Sequence, residues 1–224
     1  MKRECLNVYF VMGSVDCAGR DPKDVLQEAI YGGITFFQFR EKGLGAKVGV
    51  EKKELALKLK EICESHAIPF IVNDDIDLAL EVEADGVHIG QEDASFSEVE
   101  ERLAPEMIIG VSCHTVEEAR AAVNDGADYI GVGPMYFTTT KKDIKEVKGP
   151  QVIIQIRDAG LTVPLVGIGG ISVENTAAVL EAGADGVAVI SAISKAESVF
   201  EAAKEFSRCV GEKALFTTLS KNNH

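Results

Sequence analysis

Short runs rich in Val, Ile and Phe alternate along the chain with segments whose apolar residues recur at helical spacing. Eight runs read as buried strands: LNVYFVMG, ITFFQFREK, FIVND, DGVHIG, MIIGVSCH, DYIGVGPM, VPLVGIGG and DGVAVIS. Between them, start and stop signals mark helices. Asp21-Pro22 gives an N-cap followed by proline in the first turn, and Gly32-Gly33 stops that helix after Ile30. Leu55, Leu59, Ile62 and Cys63 make one apolar stripe of the next. Ser95-x-x-Glu98 and Thr115-x-x-Glu118 are capping boxes, and Pro150 and Ser172 open two further helices. A last helix is expected from about Lys195 to Val210, with Leu215 to His224 fraying.

A weak repeat supports this register. Glu83-Ala84-Asp85-Gly86-Val87, Gly126-Ala127-Asp128-Tyr129-Ile130 and Gly183-Ala184-Asp185-Gly186-Val187 each close a helix and open a strand. Eight strand-helix units predict a single (β/α)8 TIM barrel of the α/β class over residues 1–212, with a C-terminal tail over 213–224. No G-x-G-x-x-G fingerprint follows a strand, which counts against a dinucleotide-binding sheet.

In such a barrel the chemistry sits where the strands end. The third run ends in Asn73-Asp74-Asp75, and the fourth is followed by Gln91-Glu92-Asp93. Neighbouring parallel strands point the same way, so both clusters emerge on one face, where adjacent carboxylates repel unless a cation lies between them. Oxygen ligands in small number suit Mg2+ with substrate phosphates. Asp75 reads as a helix cap, which leaves Asp74 as the ligand; Asp93 is spared from capping by Ser95. On the second strand Gln38, Arg40 and Lys42 share a face, an amide beside two cations that makes an anion clamp. Ser112 reads as a hydrogen-bonding residue, because no nucleophile elbow surrounds it, and Cys113 as inert core. His88, inside a strand, reads as a satisfied core histidine. Thr138, Thr139, Thr140, Lys141 and Lys142 crowd hydroxyls and ammonium groups into one loop, against the alternative of a solvated lysine-rich segment. Gly167-Ile168-Gly169-Gly170 and Ile190-Ser191 end the last two strands, where phosphate cradles form from backbone N–H groups. A metal-diphosphate site and a monophosphate cradle facing one cavity suggest the joining of two phosphorylated molecules with loss of diphosphate.

Bulk properties narrow the partners. The 224 residues carry a net charge of −13, which argues against nucleic acid or an anionic membrane and requires positive charge to be gathered locally for any phosphate. No apolar run approaches membrane-spanning length, and the opening MKRECLNVYFVMG reads as a first strand, not a signal peptide. A cytoplasmic location is therefore the default expectation, and the five scattered cysteines, with no C-x-x-C pair, read as reduced thiols and not as a disulfide framework or zinc site. No sequence feature decides between a monomer and a homo-oligomer.

The segments QFREK, VNDD, HIGQED, GVSCHT, GPMYFTTTKK, VGIGGI and VISAIS stand in the order and spacing of thiamine-phosphate synthases, and the chain resembles that family from the second strand to the eighth. The resemblance implies a (β/α)8 transferase that joins a hydroxymethylpyrimidine diphosphate to a thiazole phosphate, giving thiamine phosphate and diphosphate. It implies that Gln38, Phe39, Arg40, Glu41, Lys42 and Asn73 bind the pyrimidine diphosphate, and that Asp74 and Asp93 hold one Mg2+ per active site. Ser112 and Lys141 would contact the pyrimidine substrate and its diphosphate. Thr138, Thr139, Thr140, Gly170, Ile190 and Ser191 would hold the thiazole phosphate. Arg40, Lys42, Ser112 and Lys141 would carry the catalysis by neutralising the leaving group. Phe137 departs from the family, which commonly has Pro there. The glycine-rich loop Gly43 to Gly49 is expected to close over the site. Two rival readings are a thiazole tautomerase and a non-catalytic phosphate-binding barrel.

Overall fold

The computed structural model describes residues 1–138 and 147–221, with residues 213–221 as backbone alone. Eight parallel strands close into a barrel in chain order: β1 (Val8–Met12), β2 (Phe36–Phe39), β3 (Phe70–Asn73), β4 (Gly86–Ile89), β5 (Ile108–Cys113), β6 (Tyr129–Val132), β7 (Leu165–Ile168) and β8 (Gly186–Val189). Closure is made by β8 on β1, where Val8 pairs with Val187 and Phe10 with Val189. The surrounding helices are α1 (Pro22–Gly32), α2 (Gly49–Ser65), α3 (Ile76–Glu81), α4 (Phe96–Arg102), α5 (Val116–Asp125), α6 (Gln151–Asp158), α7 (Val173–Glu181), α8 (Ser191–Ser194) and α9 (Val199–Lys221). The expected TIM barrel is therefore the fold.

Period-two alternation divides the core into two shells. Val8, Phe10, Met12, Phe37, Phe39, Phe70 and Val72 face outward and are covered by the helices. Tyr9, Val11, Phe36, Ile71, Tyr129, Val166 and Ala188 point inward and fill the barrel itself. The rings of Tyr9, Phe36 and Tyr129 meet edge to face, with centroids 4.8 to 5.8 Å apart, and plug the interior below the strand ends.

The caps follow the sequence signals. Asp21 accepts from Lys23 N at 3.0 Å, Ser95 and Glu98 bond reciprocally, and Thr115 accepts from Glu118 N at 3.1 Å. The repeated Ala-Asp turns have a second use. The carboxylates of Asp85, Asp128 and Asp185 accept from the N–H groups of Phe70, Ile109 and Leu165 at 2.7 to 2.9 Å, each tying its own turn to the foot of the preceding strand.

The last helix differs from expectation. Ser191–Ser194 forms a separate turn, and α9 starts at Val199 and continues through Lys221 instead of ending near Val210. Gly211 costs a helix only about 1 kcal/mol, and the Glu-Lys-Ala-Leu that follows favours continuation. The backbone over 213–221 is thus helix, not a frayed tail, and 222–224 lie outside the described residues.

Candidate active site

The ends of β2 to β7 surround a cavity of about 240 Å³ whose wall includes Arg40, Lys42, Asn73, Asp74, His88, Asp93, Ser112, His114, Thr138 and Gly169. A smaller adjoining pocket of about 60 Å³ is walled by Thr138, Gly169, Gly170, Ile190, Ser191 and their neighbours. Thr138 lies between the two.

Asp74 sits just beyond β3 with φ of 61°, a left-handed conformation uncommon outside glycine but better tolerated by Asp and Asn than by most residues. Its N–H donates to the carbonyl of His88 at 2.9 Å, which fixes the turn to β4. The carboxyl group lies within hydrogen-bond reach of Asp93 and is ion-paired with Lys42. Burial, and then the neighbouring Asp93, raise its proton affinity above the ordinary carboxylate range, against the pull of Lys42. Asp93 Oδ2 also accepts from Gly90 N at 2.7 Å, a fold-back for which Gly90 leaves room; a Cβ there would stand 2.8 Å from that oxygen. The two carboxylates thus meet as expected. Asp75 is spent elsewhere, capping α3 through Leu78 N at 3.0 Å and pairing with Lys52 at 2.6 Å.

The residues from 38 to 42 separate into three environments. Arg40 and Lys42 line the cavity, and Arg40 Nε is buried with no hydrogen-bond partner in the protein. Gln38 lies deeper, 4% exposed, donating from Nε2 to Tyr9 Oη at 2.6 Å, and is not on the cavity wall. Phe39 and Glu41 point away from the cavity. Phe39 stacks on Phe70 in the outer shell. Glu41 accepts from Ser14 N at 2.7 Å, Ser14 Oγ at 2.5 Å and Lys47 N at 2.7 Å, so it pins the glycine-rich loop to the segment after β1.

On the floor, His88 bridges Tyr129 Oη at 3.0 Å and Ser112 Oγ at 2.9 Å. His88 is satisfied, as its strand position suggests, but it also faces the cavity. Cys113 points into the outer shell, where burial pushes its thiol up to about 12, so it stays protonated and unreactive. Gln91, on the wall, donates from Nε2 to the Ser112 carbonyl at 2.7 Å.

The glycines after β7 accommodate the loop from β6. Met135 N donates to Ile168 O and Tyr136 N to Gly169 O, both at 2.9 Å. A Cβ on Gly170 would stand 2.5 Å from the carbonyl oxygen of Phe137. Phe137 itself is 75% exposed and leads into Thr138. Thr139, Thr140, Lys141 and Lys142 lie outside the described residues.

Sequence reasoning did not reveal Tyr9, Tyr129 and Gln91. The tyrosines sit in strands that read as plain core, and nothing in their spacing pairs residues 120 positions apart. Gln91 carries only the weak signal of lying between two strand ends already suspected.

A family model described as thiamine monophosphate synthase matches residues 8–193. The thiamine-phosphate synthase of Bacillus cereus (strain ATCC 10987 / NRS 248) is 56% identical over 208 residues, covering 93% of this chain and 92% of that protein. That of Bacillus cereus (strain AH820) is 58% identical over 200 residues, covering 89% and 90%. Among solved structures, a thiamine phosphate pyrophosphorylase from Pyrococcus furiosus superposes with a TM-score of 0.83 at 34% identity, covering 94% of this chain and 98% of that one.

Proposed function

The chain belongs to the thiamine monophosphate synthase family and is a transferase of thiamine biosynthesis, and from that premise we propose that it joins 4-amino-2-methyl-5-hydroxymethylpyrimidine diphosphate to 4-methyl-5-(2-phosphooxyethyl)thiazole, giving thiamine phosphate and diphosphate. The observation that carries the reading is the pair of abutting carboxylates, Asp74 and Asp93, with Arg40 and Lys42 on the same wall. A thiazole tautomerase has no diphosphate to bind and no use for that arrangement.

The donor set fits one Mg2+: two crowded carboxylate oxygens, with room in the cavity for phosphate oxygens. When bound, the ion supplies positive charge against the leaving diphosphate. Arg40 and Lys42 bind the same diphosphate and stabilise its growing charge, and Lys141 is assigned the same work. The electron-rich aminopyrimidine carries the methylene cation as the C–O bond breaks. Ser112 and Asn73 orient the ring from the floor. Thr138, Gly170, Ile190 and Ser191 hold the thiazole phosphate in the adjoining pocket, with Thr139 and Thr140 assigned to the same phosphate. The thiazole nitrogen attacks with its own lone pair, so no general base is needed. Closure of the Gly43 to Gly49 loop keeps water from the cation. The unpaired cysteines agree with a cytoplasmic setting.

The test supplies both substrates with Mg2+ and follows thiamine phosphate and diphosphate. Both products are expected in equal amounts, with none after EDTA treatment and recovery on adding Mg2+ back. Turnover of the thiazole phosphate alone, or equal rates with and without metal, would overturn the proposal.

A further inference from the structure

A continuous hydrogen-bonded chain crosses the barrel beneath the cavity. Gln38 Nε2 donates to Tyr9 Oη at 2.6 Å, Tyr9 Oη and Tyr129 Oη are 2.7 Å apart, Tyr129 Oη is 3.0 Å from His88 Nδ1, and His88 Nε2 is 2.9 Å from Ser112 Oγ. Five side chains from β2, β1, β6, β4 and β5 are involved. Both tyrosines are fully buried, and burial raises their proton affinity so far that both hydroxyls stay neutral.

Space for this chain is provided by glycines on the inward face. A Cβ on Gly110 would stand 2.1 to 2.4 Å from the ring and hydroxyl of Tyr129, and one on Gly131 would stand 3.3 Å from His88 Cε1. Any side chain at Gly110 would displace the Tyr129 ring, so the backbone of β5 is shaped around it.

A buried hydroxyl has one proton to give, and leaving it without an acceptor is costly, so the arrangement that pairs every proton of this chain runs in one sense. An amide nitrogen only donates. With Gln38 Nε2 on Tyr9, the Tyr9 proton goes to Tyr129 and the Tyr129 proton to His88 Nδ1. In the neutral imidazole this places the proton on Nε2, directed at Ser112 Oγ. Ser112 then accepts from below, and its own proton is turned towards the cavity.

We propose that Tyr9 and Tyr129 are positioning residues that impose one proton direction on this chain, holding His88 as the Nε2–H tautomer and presenting the Ser112 hydroxyl to the substrate as a donor. An aminopyrimidine offers ring nitrogens that accept such a bond. The tyrosines act without touching the ligand. The value of the device for catalysis rests on Ser112 contacting the substrate, as proposed above, whereas the tautomer is a property of the protein alone.

The experiment is nitrogen-15 NMR of the imidazoles in the full-length protein without substrates, with the His88 signals identified by their loss in His88→Gln. The expected wild-type pattern is the Nε2–H tautomer. An Nδ1–H tautomer, or a mixture, overturns the proposal without any variant having to fold. In Tyr129→Phe, Nδ1 loses its donor, and a mixture of tautomers is expected; an unchanged pattern there also overturns it. Kinetics give the second readout. With Mg2+ and both substrates, Tyr129→Phe should lower kcat/KM for the pyrimidine diphosphate roughly tenfold, on the scale of one hydrogen bond. Adding Tyr129→Phe to Ser112→Ala should cost nothing further, whereas simple loss of core packing would add to it. Failure of wild-type protein to form thiamine phosphate would sink the assigned reaction and leave the tautomer result standing.

Discussion

The carboxyl groups of Asp74 and Asp93 lie within hydrogen-bond reach of each other at the ends of adjacent strands β3 and β4. Removing one of them should remove the reason for a divalent ion. Asp93→Ala is expected to lower the Mg2+-dependent rate roughly 100- to 1,000-fold, the scale on which one charge-stabilising group is lost at a reacting centre. The circular dichroism spectrum should stay that of the barrel, because Asp93 lies in the loop beyond β4 and not in the packed core. Full activity in this variant would refute the metal assignment.

The same crowding sets a pH dependence for the metal-free protein. Asp74 binds its proton more tightly folded than unfolded, chiefly because it is buried. Between its ordinary 3.8 and its raised value the folded state therefore holds more protons, so stability falls as pH rises through that window. Asp74→Asn keeps a side chain that suits φ of 61° and removes the charge. It should raise the thermal midpoint of metal-free protein at pH 7 and abolish the stabilisation by Mg2+. Thermal melts from pH 4 to 8, with and without Mg2+, check both.

Glu41 links the segment after β1 to the glycine-rich loop after β2 through three hydrogen bonds. Glu41→Ala leaves the Ser14 and Lys47 N–H groups without this acceptor and should cost about 2 kcal/mol in urea unfolding. The freed loop, whose Leu44 is already 96% exposed, should be cut faster by chymotrypsin. Addition of both substrates should slow cleavage of the wild-type loop, and no protection would count against closure.

Gly170, with φ of 63° and the Phe137 carbonyl packed against it, has no room for a methyl group. Gly170→Ala should displace the loop that carries Thr138 and raise KM for the thiazole phosphate roughly tenfold, leaving KM for the pyrimidine diphosphate within about twofold. Initial rates with each substrate varied in turn decide this. Equal effects on both would mean that the two pockets are not separate binding sites.

These positions differ in how readily the sequence disclosed them. Asp74 and Asp93 were legible because local rules sufficed. Strand direction put both clusters on one face; Asp75 was set aside as a helix cap, and the Ser95 capping box freed Asp93 from that role. Side-chain parity put Gln38, Arg40 and Lys42 on one side of β2, and that is their side, but parity carries no depth. Gln38 sits one pleat lower and is engaged with Tyr9, while the other two reach the mouth. Glu41 and Phe39 show the limit of transferring a contiguous motif, since alternate residues of QFREK face away from the cavity. The Tyr9–Tyr129 contact was out of reach because it joins strands 120 residues apart through hydroxyls that apolar patterning ignores. Barrel closure itself was readable from the count of strand-helix units, whereas the extent of α9 was not, because helix propensity after Gly211 competes with the tendency of a terminus to fray.

Among the described residues, the aromatic plug formed by Tyr9, Phe36 and Tyr129 fills the barrel below the cavity and closes it on that side. Under the proposed reaction, a substrate held against His88 and Ser112 would lie at the bottom of this cavity, and a partner entering from the rim would cover it.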